Sequence, residues 1–353
     1  MFMHARGDSD PVTGTSPERR HAGAPATRPP FFILGSDRSG TTMLRLILDR
    51  AGDGPAIPPE TMFITDFRGV LRSGQLDDHA SAIAFTRRVW SHPRVALWEL
   101  EGDAPLPPEG LTHAEAFRWG VEQPFLAYMR REGKTWWADK TPPHIDHVDL
   151  LAEVFPGARF VELVRDGRDV SLSIQGLPFG GNNAWTTGRR WAHCIREGAR
   201  QRELRPHTMT FVRYEDLVTQ PAIEVQRLSE FLGITYDADM LAVEKTDSAK
   251  LQQDQQAWFS NLWGGINQDA MYKWRRVMSQ RDQRVFLAAA GDELMLHGYD
   301  DGGLRPERVG LLRRAWFGAT NLGLRVVNLV RLRIVTERGR ELRWVVARRL
   351  GRR

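Results

Sequence analysis

Two hydrophobic periodicities follow one another where the chain first becomes patterned. Phe31 to Leu34 is a continuous apolar run ending at Gly35, which is typical of a buried parallel strand. After Gly40 the spacing becomes helical, and Gly52 marks the expected stop. The apolar positions with helical spacing are Met43, Leu44, Ile47 and Leu48. The pattern therefore predicts a strand, a tight loop and a helix, which together open a βαβ unit.

Two later segments repeat the combination of a short apolar strand and a helical pattern. The strands are predicted over Ala158 to Val164 and over Thr208 to Val212. The helix after the second one begins through Pro221, a residue well suited to a first helical turn. Strands that alternate with helices predict an α/β fold with a mostly parallel central sheet flanked by helices.

The ends of the chain differ from this patterned middle. Residues 1–30 are rich in Gly, Pro, Ser, Thr and Arg and lack apolar periodicity, which predicts a disordered leader. The main domain is expected over residues 31–300, where Asp300 to Gly303 forms a turn-rich boundary. Residues 301–353 alternate Arg with apolar residues and predict a basic amphipathic helical tail.

Composition narrows the class of protein. The chain has 353 residues, of which 41% are hydrophobic and 26% charged, as in ordinary globular proteins. No apolar run approaches the length of a membrane span, and the N-terminus lacks the apolar core of a signal peptide. The single cysteine, Cys194, excludes an intrachain disulfide framework. We therefore expect a cytoplasmic protein, with peripheral membrane contact through the tail left open.

Positive charge is concentrated at the C-terminus. From Leu304 to Arg353 the chain contains 14 Arg, no Lys and 3 Glu, a net charge of +11. Since the whole chain carries +5, the remaining residues carry −6. This distribution argues against a nucleic-acid-binding surface on the main domain, although the tail can still meet anionic partners.

The segment from Gly35 to Thr42 has the chemistry of a phosphate-binding loop. Its glycines allow a tight turn, and its backbone N–H groups and hydroxyls can receive anionic oxygens at a helix start. It is not a Walker A loop, because Thr41 stands where that motif requires Lys. An ordinary P-loop kinase is thereby disfavoured but stays open, as does a simple capped turn.

A second candidate anion site follows the second predicted strand. Arg165 lies where open α/β sheets place their ligands, and Ser173 lies two helical turns later. Arg168 and Asp169, between them, are interpreted as members of surface ion pairs on a capped helix.

Two motifs resemble the two cofactor loops of sulfotransferases and occur in the same order along the chain: the loop Arg38-Ser-Gly-Thr-Thr, and then the pair Arg165 and Ser173. The similarity is closest to the tyrosylprotein sulfotransferase branch and its bacterial relatives, and covers about Phe31 to Tyr299. It implies a P-loop-like three-layer fold and the donor 3′-phosphoadenosine 5′-phosphosulfate (PAPS). The residues it implies at the 5′-phosphosulfate are Arg38, Ser39, Gly40, Thr41 and Thr42. The residues it implies at the 3′-phosphate and around the nucleotide are Arg165, Ser173, Tyr214 and Lys273.

The resemblance also implies the catalytic groups. Glu60 matches the proposed base, and Lys140 and Arg38 match groups that stabilise the leaving side. From the residues alone, the preferred interpretation of Glu60 is a helix-start carboxylate, and Lys140 is open to a salt bridge with Asp139 or to a surface position. His144 and His147 are interpreted as structural. No metal is required, because backbone and cationic groups can hold the donor.

Two departures from the family pattern affect the donor site. Asp37 places an acid beside the expected phosphosulfate, where it would repel the donor unless it turns away or pairs with an Arg. Leu177 stands where some relatives carry a further cofactor-binding Arg. Arg189 or Arg190 is a possible substitute.

The acceptor is expected to carry a hydroxyl group on a carbohydrate, a lipid, a small metabolite or a tyrosyl side chain. Its walls are predicted in two aromatic and polar loops, 177–185 and 255–265. The tail, Arg305 to Arg353, is interpreted either as a membrane-surface or partner-binding helix or as a helix docked on the domain. A non-catalytic nucleotide-binding protein is the remaining alternative.

Overall fold

The computed structural model describes residues 28–175, 177, 181–245 and 265–335. Most of the predicted leader and the acceptor loop from Gln255 to Trp263 lie outside the described residues. Arg28, assigned to the leader, already donates hydrogen bonds to the carbonyl oxygens of Leu232 and Gly233. This contact ties the first described residues to the body of the protein.

A four-stranded parallel sheet forms the centre of the molecule, in the order β2-β1-β3-β4. The strands are β1 (Phe31–Gly35), β2 (Ala138–Lys140), β3 (Arg159–Val164) and β4 (Met209–Arg213). The predictions for β1, β3 and β4 are confirmed to within one residue at each end. The prediction omitted β2, because its three residues Ala-Asp-Lys form no apolar run. The parallel α/β architecture is confirmed.

Helices surround the sheet. They are α1 (Thr41–Asp49), α2 (Phe63–Asp66), α3 (Arg68–Ser73), α4 (His79–Trp90), α5 (Pro93–Ala96), α6 (His113–Arg131), α7 (Val148–Val154), α8 (Gly167–Ile174), α9 (Ala184–Leu204), α10 (Tyr214–Thr219), α11 (Pro221–Leu232), α12 (Trp274–Val277), α13 (Gln280–Leu296) and α14 (Leu311–Val335). Short 3-10 helices occupy Pro142–His147, Ala238–Leu241 and Val243–Lys245.

Both faces of the sheet are buried, as the continuous apolar strands require. Alternate residues of β1 point to opposite faces: Phe32 packs in one core cluster and Ile33 in another. The Phe32 ring stacks on Phe160 at 5.6 Å between centroids and meets Trp137 edge-on. A third cluster packs α8, α9, α12 and α13 together. The three-layer arrangement fixes β1 rigidly and thereby fixes the loop that follows it.

The described part of the tail forms α14, which lies against the start of α9. The Asn182 backbone N–H donates to Asn321 Oδ1 at 3.2 Å, and Asn183 Nδ2 donates to the Phe317 carbonyl at 3.2 Å. Among the described residues, no helix is both long and apolar enough to cross a membrane.

Candidate active site

The predicted site residues gather at the carboxyl ends of the four strands. Gly35 ends β1 and opens the phosphate loop, and Lys140 ends β2. Arg165 follows β3 directly, and Tyr214 follows β4. Because all four strands are parallel, these ends lie at one edge of the sheet, where open α/β folds bind ligands.

The phosphate loop depends on backbone conformations with positive φ. Gly40, at the N-terminus of α1, has φ 102°, and Arg38 has φ 67°. A Cβ atom on Gly40 would lie 2.6 Å from Cδ2 of Tyr214. Within the loop, Ser39 Oγ donates to the Ser36 carbonyl at 2.7 Å. Since glycine supplies no capping side chain, the first N–H groups of α1 keep their capacity to bind an anion.

The two predicted anion sites meet directly. Arg165 Nη1 donates to the Arg38 carbonyl at 3.2 Å, and Nη2 donates to the Ala270 carbonyl at 2.5 Å. The Arg38 Nε donates to Ser173 Oγ at 3.0 Å. The Arg165 guanidinium also lies over the Tyr214 ring, 4.4 Å from its centroid. Both arginines therefore lie together with Ser173 and Tyr214, and we call the region that these four residues border the cleft.

The electrostatics of this cleft favour a bound anion. Burial lowers the pKa of Arg38, and the neighbouring positive charge of Arg165 lowers it further. Arg165 is itself buried, and its Nε has no hydrogen-bond partner among the described residues. Two close guanidinium groups repel each other, so an anion between them would stabilise both.

Lys140 and Glu60 form a close ion pair beside the phosphate loop. Lys140 Nζ lies 2.6 Å from Glu60 Oε1 and donates to Thr42 Oγ1 at 3.2 Å. Glu60 reaches this position because Ala56 pairs with Trp137 in a parallel bridge that extends the edge of the sheet. The bridge carries the following residues toward the carboxyl end of β2, where Lys140 is located.

The ion pair sets the protonation of both partners. Burial raises the pKa of Glu60, but the ammonium of Lys140 and its hydrogen bond outweigh burial and hold that pKa below the ordinary value. Burial is the larger effect at Lys140 and lowers its pKa, while Glu60 opposes the shift. Only Lys140 is fully buried, whereas the Glu60 side chain is 28% exposed and can be reached from the cleft.

Asp37 lies within the same electrostatic environment. Burial raises its pKa to about 6, and the charge of Glu60 adds to the increase. Arg190, Lys140 and Arg38 act in the opposite direction. Arg190 also forms an ion pair with Asp146 at 2.8 Å. Asp37 therefore remains near the site and is only partly balanced by the surrounding cations.

The interpretation of Arg168 and Asp169 as members of surface pairs was wrong. Both are buried; Arg168 pairs with Asp166 at 2.8 Å. Asp169 Oδ1 accepts a hydrogen bond from the Trp274 N–H at 2.8 Å, and the Arg168 guanidinium lies 3.5 Å from the Trp274 ring centroid. These contacts anchor the start of α12 against α8. No local spacing around residue 168 could reveal a partner about a hundred positions later.

Lys273 is less closely connected to the site than the other predicted residues are. It is exposed at the N-terminus of α12, next to the anchored Trp274. Its segment contacts Arg165 through the Ala270 carbonyl. None of the hydrogen bonds and ion pairs described joins the Lys273 ammonium to another predicted site residue. The sequence carried no signal for Ala270, because its contribution is a backbone oxygen.

A metal centre has no support in the described part of the chain. Across residues 28–175, 177, 181–245 and 265–335, no three His, Cys, Asp or Glu side chains come close enough to hold a metal ion. His144 instead pairs through Nδ1 with Asp139 at 2.9 Å, and both side chains are fully buried.

Comparison with known proteins gives a consistent result. A family model described as "Sulfotransferase family" matches residues 29–238, and one described as "Sulfotransferase domain" matches residues 183–295. A putative protein-tyrosine sulfotransferase of Caenorhabditis briggsae is 26% identical over 283 residues, covering 78% of this chain and 91% of that protein.

A second relative comes from bacteria. The omega-hydroxy-beta-dihydromenaquinone-9 sulfotransferase Stf3 of Mycobacterium bovis is 27% identical over 302 residues, covering 70% of this chain and 76% of that protein. Among solved structures, the sulfotransferase domain of the Synechococcus PCC 7002 olefin synthase superposes with a TM-score of 0.50 at 21% identity. It covers 78% of this chain and 98% of that domain, and it shares the fold.

Proposed function

The chain belongs to the sulfotransferase family, and from this membership we propose how its residues carry out sulfuryl transfer. The enzyme transfers a sulfuryl group from PAPS to a hydroxyl-bearing acceptor. When bound, PAPS supplies an activated sulfuryl group and a bisphosphorylated adenosine as leaving group. The sequence departs from a P-loop kinase at Thr41, and family membership removes the kinase alternative.

The donor site comprises the two anion cradles that meet in the cleft. We assign the 5′-phosphosulfate to the phosphate loop and α1, and the 3′-phosphate to Arg165 and Ser173. The assigned loop residues are Arg38, Ser39, Gly40, Thr41 and Thr42. Two observations fit such a ligand: the buried Arg165 Nε lacks a partner, and Gly40 leaves the first N–H groups of α1 without a capping side chain. The single observation that carries the proposal is the contact of Arg165 with Arg38.

Tyr214 and Lys273 have supporting roles in this proposal. The Tyr214 ring lies beneath the Arg165 guanidinium and sets its orientation. Lys273 is exposed on a segment that Trp274 anchors, so its long side chain can approach the nucleotide from solvent.

Glu60 is the proposed base. Its carboxylate is held ionised by Lys140, partly exposed to the cleft, and able to accept a proton from the acceptor hydroxyl at its second oxygen. Lys140 and Arg38 are the cations that stabilise negative charge growing on the leaving side. Because Lys140 also contacts Thr42, the base and the leaving-side cation are fixed to the same helix start.

The acceptor is proposed to be an alcohol or phenol on a larger molecule. The relatives named above are described as acting on protein tyrosine or on an omega-hydroxylated menaquinone. In both cases the hydroxyl group belongs to a large molecule, and the residues described here are compatible with either acceptor. We also propose that residues 31–300 form the sulfotransferase domain. Residues 305–353 are proposed to make peripheral membrane contact.

The test is donor turnover by the purified full-length chain. Release of 3′-phosphoadenosine 5′-phosphate (PAP) from PAPS is measured with phenol and long-chain alcohol acceptors. We expect Glu60→Gln and Glu60→Ala to bind PAP like the wild type but to lose turnover. The matched control is Glu203→Gln, an exposed carboxylate on α9. Normal sulfation by Glu60→Ala would show that the base is another group.

A further inference from the structure

The helix α14 has two faces of opposite character. The side chains turned toward the body are partly buried, among them Phe317 and Asn321. On the opposite side of the helix, positions three or four apart are all exposed and all apolar. The large residues of this outward face are Leu311, Leu312, Trp316, Leu322 and Val326. The smaller residues on the same face are Ala315, Ala319 and Gly323.

These exposed apolar side chains form one contiguous face and are not isolated apolar residues scattered over the surface. Leu312 is 91% exposed and Trp316 is 66% exposed. Contiguous apolar faces of this kind on soluble proteins mark a binding surface. A helix with one apolar face and basic margins is typical of a segment that lies in the membrane interface.

Charge identifies the occupant of this face. Arg313 and Arg314 flank it, Arg313 in an ion pair with Glu307 and Arg314 over the Trp185 ring, and the segment from Leu304 to Arg353 carries +11. A second copy of the same face would bring two strongly positive segments together, which is unfavourable. An anionic lipid surface supplies both an apolar interior for the leucines and Trp316 and negative headgroups that match the net positive charge of the segment.

The inner side of α14 connects this helix to α9, which borders the phosphate loop. α14 contacts the start of α9 through Asn182 and Asn183, and the Arg314 guanidinium lies 5.1 Å from the Trp185 ring centroid. Five residues along α9, about 7.5 Å of helix, Arg190 interacts electrostatically with Asp37 of the phosphate loop. α14 therefore packs on the same helix, α9, that brings Arg190 near the phosphate loop.

We propose that α14 lays its outward face on an anionic lipid surface, and that the enzyme sulfates a hydroxyl group borne by a membrane lipid. This inference rests on the proposed sulfotransferase function and narrows its acceptor class. The lipid surface concentrates the acceptor and orients its hydroxyl toward the cleft, so the helix contributes to substrate delivery rather than to chemistry.

Vesicle flotation of the full-length chain tests the proposal. Vesicles of phosphatidylcholine alone are compared with vesicles of phosphatidylcholine and phosphatidylglycerol in equal parts. We expect the wild type to float with the anionic vesicles, and the double variant Leu312→Glu/Trp316→Glu to lose at least about tenfold in partitioning. The matched control is Leu204→Glu/Ile223→Glu, which changes two exposed apolar residues elsewhere on the body.

The possible outcomes separate this inference from the sulfotransferase proposal. Absence of flotation, or equal flotation of both double variants, overturns the lipid surface. A wild-type dimer in light scattering that Leu312→Glu/Trp316→Glu dissociates identifies a second copy as the occupant and also overturns it. PAP binding is titrated in every sample: loss of flotation with intact PAP binding refutes only the inference, whereas flotation without PAP binding refutes the proposed function.

A separate buried network supports a second inference, about how the ion pair of Glu60 and Lys140 is positioned. The Thr61 N–H donates to Thr141 Oγ1 at 3.0 Å, and Thr141 Oγ1 donates to Asp139 Oδ1 at 3.1 Å. The other Asp139 oxygen pairs with His144. All four side chains are fully buried.

The network connects the neighbours of both catalytic candidates. Glu60 precedes Thr61, and Lys140 lies between Asp139 and Thr141. The Thr61 N–H donates to the Thr141 hydroxyl inside the core, so this hydrogen bond links the two backbones on which the pair depends. We infer that Thr141 is a positioning residue that holds Glu60 against Lys140.

Turnover and binding measured together test this role. We expect Thr141→Val to lower kcat by about tenfold to a hundredfold while the PAP affinity stays unchanged, and Thr141→Ser to restore kcat. The control is Thr86→Val, an equally buried threonine whose hydroxyl bonds to Ala82 of its own helix. Thr141→Ser as slow as Thr141→Val, or Thr86→Val equally slow, would contradict the positioning role. A thermal melt of each variant identifies any that fails to fold.

Discussion

Substituting Gly40 with Ala is a direct test of the geometry of the phosphate loop. The substitution places a Cβ 2.6 Å from Cδ2 and 3.0 Å from Cε2 of the Tyr214 ring. Ordinary van der Waals contact begins at about 3.4 Å, so the ring must move by nearly an ångström. Gly40 also has φ 102°, a conformation that an alanine side chain disfavours.

The expected magnitude follows from these two effects. Positive φ costs an L-residue roughly 1–2 kcal/mol, and overpacking a filled site costs about 1–3 kcal/mol. We therefore expect Gly40→Ala to lower the free energy of unfolding by about 2–5 kcal/mol. Since Tyr214 lies under the Arg165 guanidinium, displacement of the ring also displaces the proposed 3′-phosphate site, so PAP affinity falls as well.

Chemical denaturation and PAP titration measure both consequences. The control is Gly69→Ala, an exposed helical position where a Cβ meets no atom within 4 Å, and which should gain about 0.5–1 kcal/mol. A double variant, Gly40→Ala with Tyr214→Ala, removes the overlap and retains the strained φ, so it should recover part of the stability. Wild-type stability and wild-type PAP affinity in Gly40→Ala would refute the reasoning.

Three further predictions concern buried charge. Lys140→Met removes a leaving-side cation, so kcat should fall by about 10²–10³. The acid limb of the kcat–pH profile should also move to higher pH, because Glu60 loses the ammonium that lowers its pKa. An acid limb that does not move would argue against Glu60 as the base. Gly198→Ala places a Cβ in overlap with the buried Glu162 carboxylate, and calorimetry should show a marked decrease in Tm; an unchanged Tm would contradict this. Asp37 has a pKa raised to about 6, so it is neutral below pH 6 and repels an anionic donor above it. Asp37→Asn should therefore bind PAP more tightly than the wild type at pH 8 but not at pH 5, and an equal ratio at both pH values would exclude the repulsion.

Local sequence patterns predicted the part of the fold that contains the donor loop. The apolar run ending at Gly35 and the glycines beyond it determine strand, turn and helix within twenty residues, so no distant partner is needed. β2 escaped prediction for the opposite reason. Its residues Asp139 and Lys140 are polar, and in the fold each has a close partner, His144 for Asp139 and Glu60 for Lys140. Such a strand becomes recognisable only when its partners are known.

The residues of the candidate site also fall into two groups, those that the sequence indicated and those whose contacts only the structure reveals. Residue types and order indicated Arg38, Arg165 and Ser173, and the fold brings them together at one strand edge. The contact of Arg168 and Asp169 with Trp274 joins segments that are far apart in the chain, and their short spacing instead suggested a surface pair. Electrostatic coupling of this type depends on tertiary distances that a linear pattern does not contain.

Calorimetric titration of PAP in magnesium-free buffer tests the shared donor cleft most directly. Wild-type protein should bind one PAP, and ATP should bind much more weakly because it lacks a 3′-phosphate for Arg165. Arg165→Ala should abolish PAP binding, while Arg200→Ala, an exposed arginine on α9, should leave it unchanged. ATP binding as tightly as PAP, or wild-type PAP affinity in Arg165→Ala, would contradict the account.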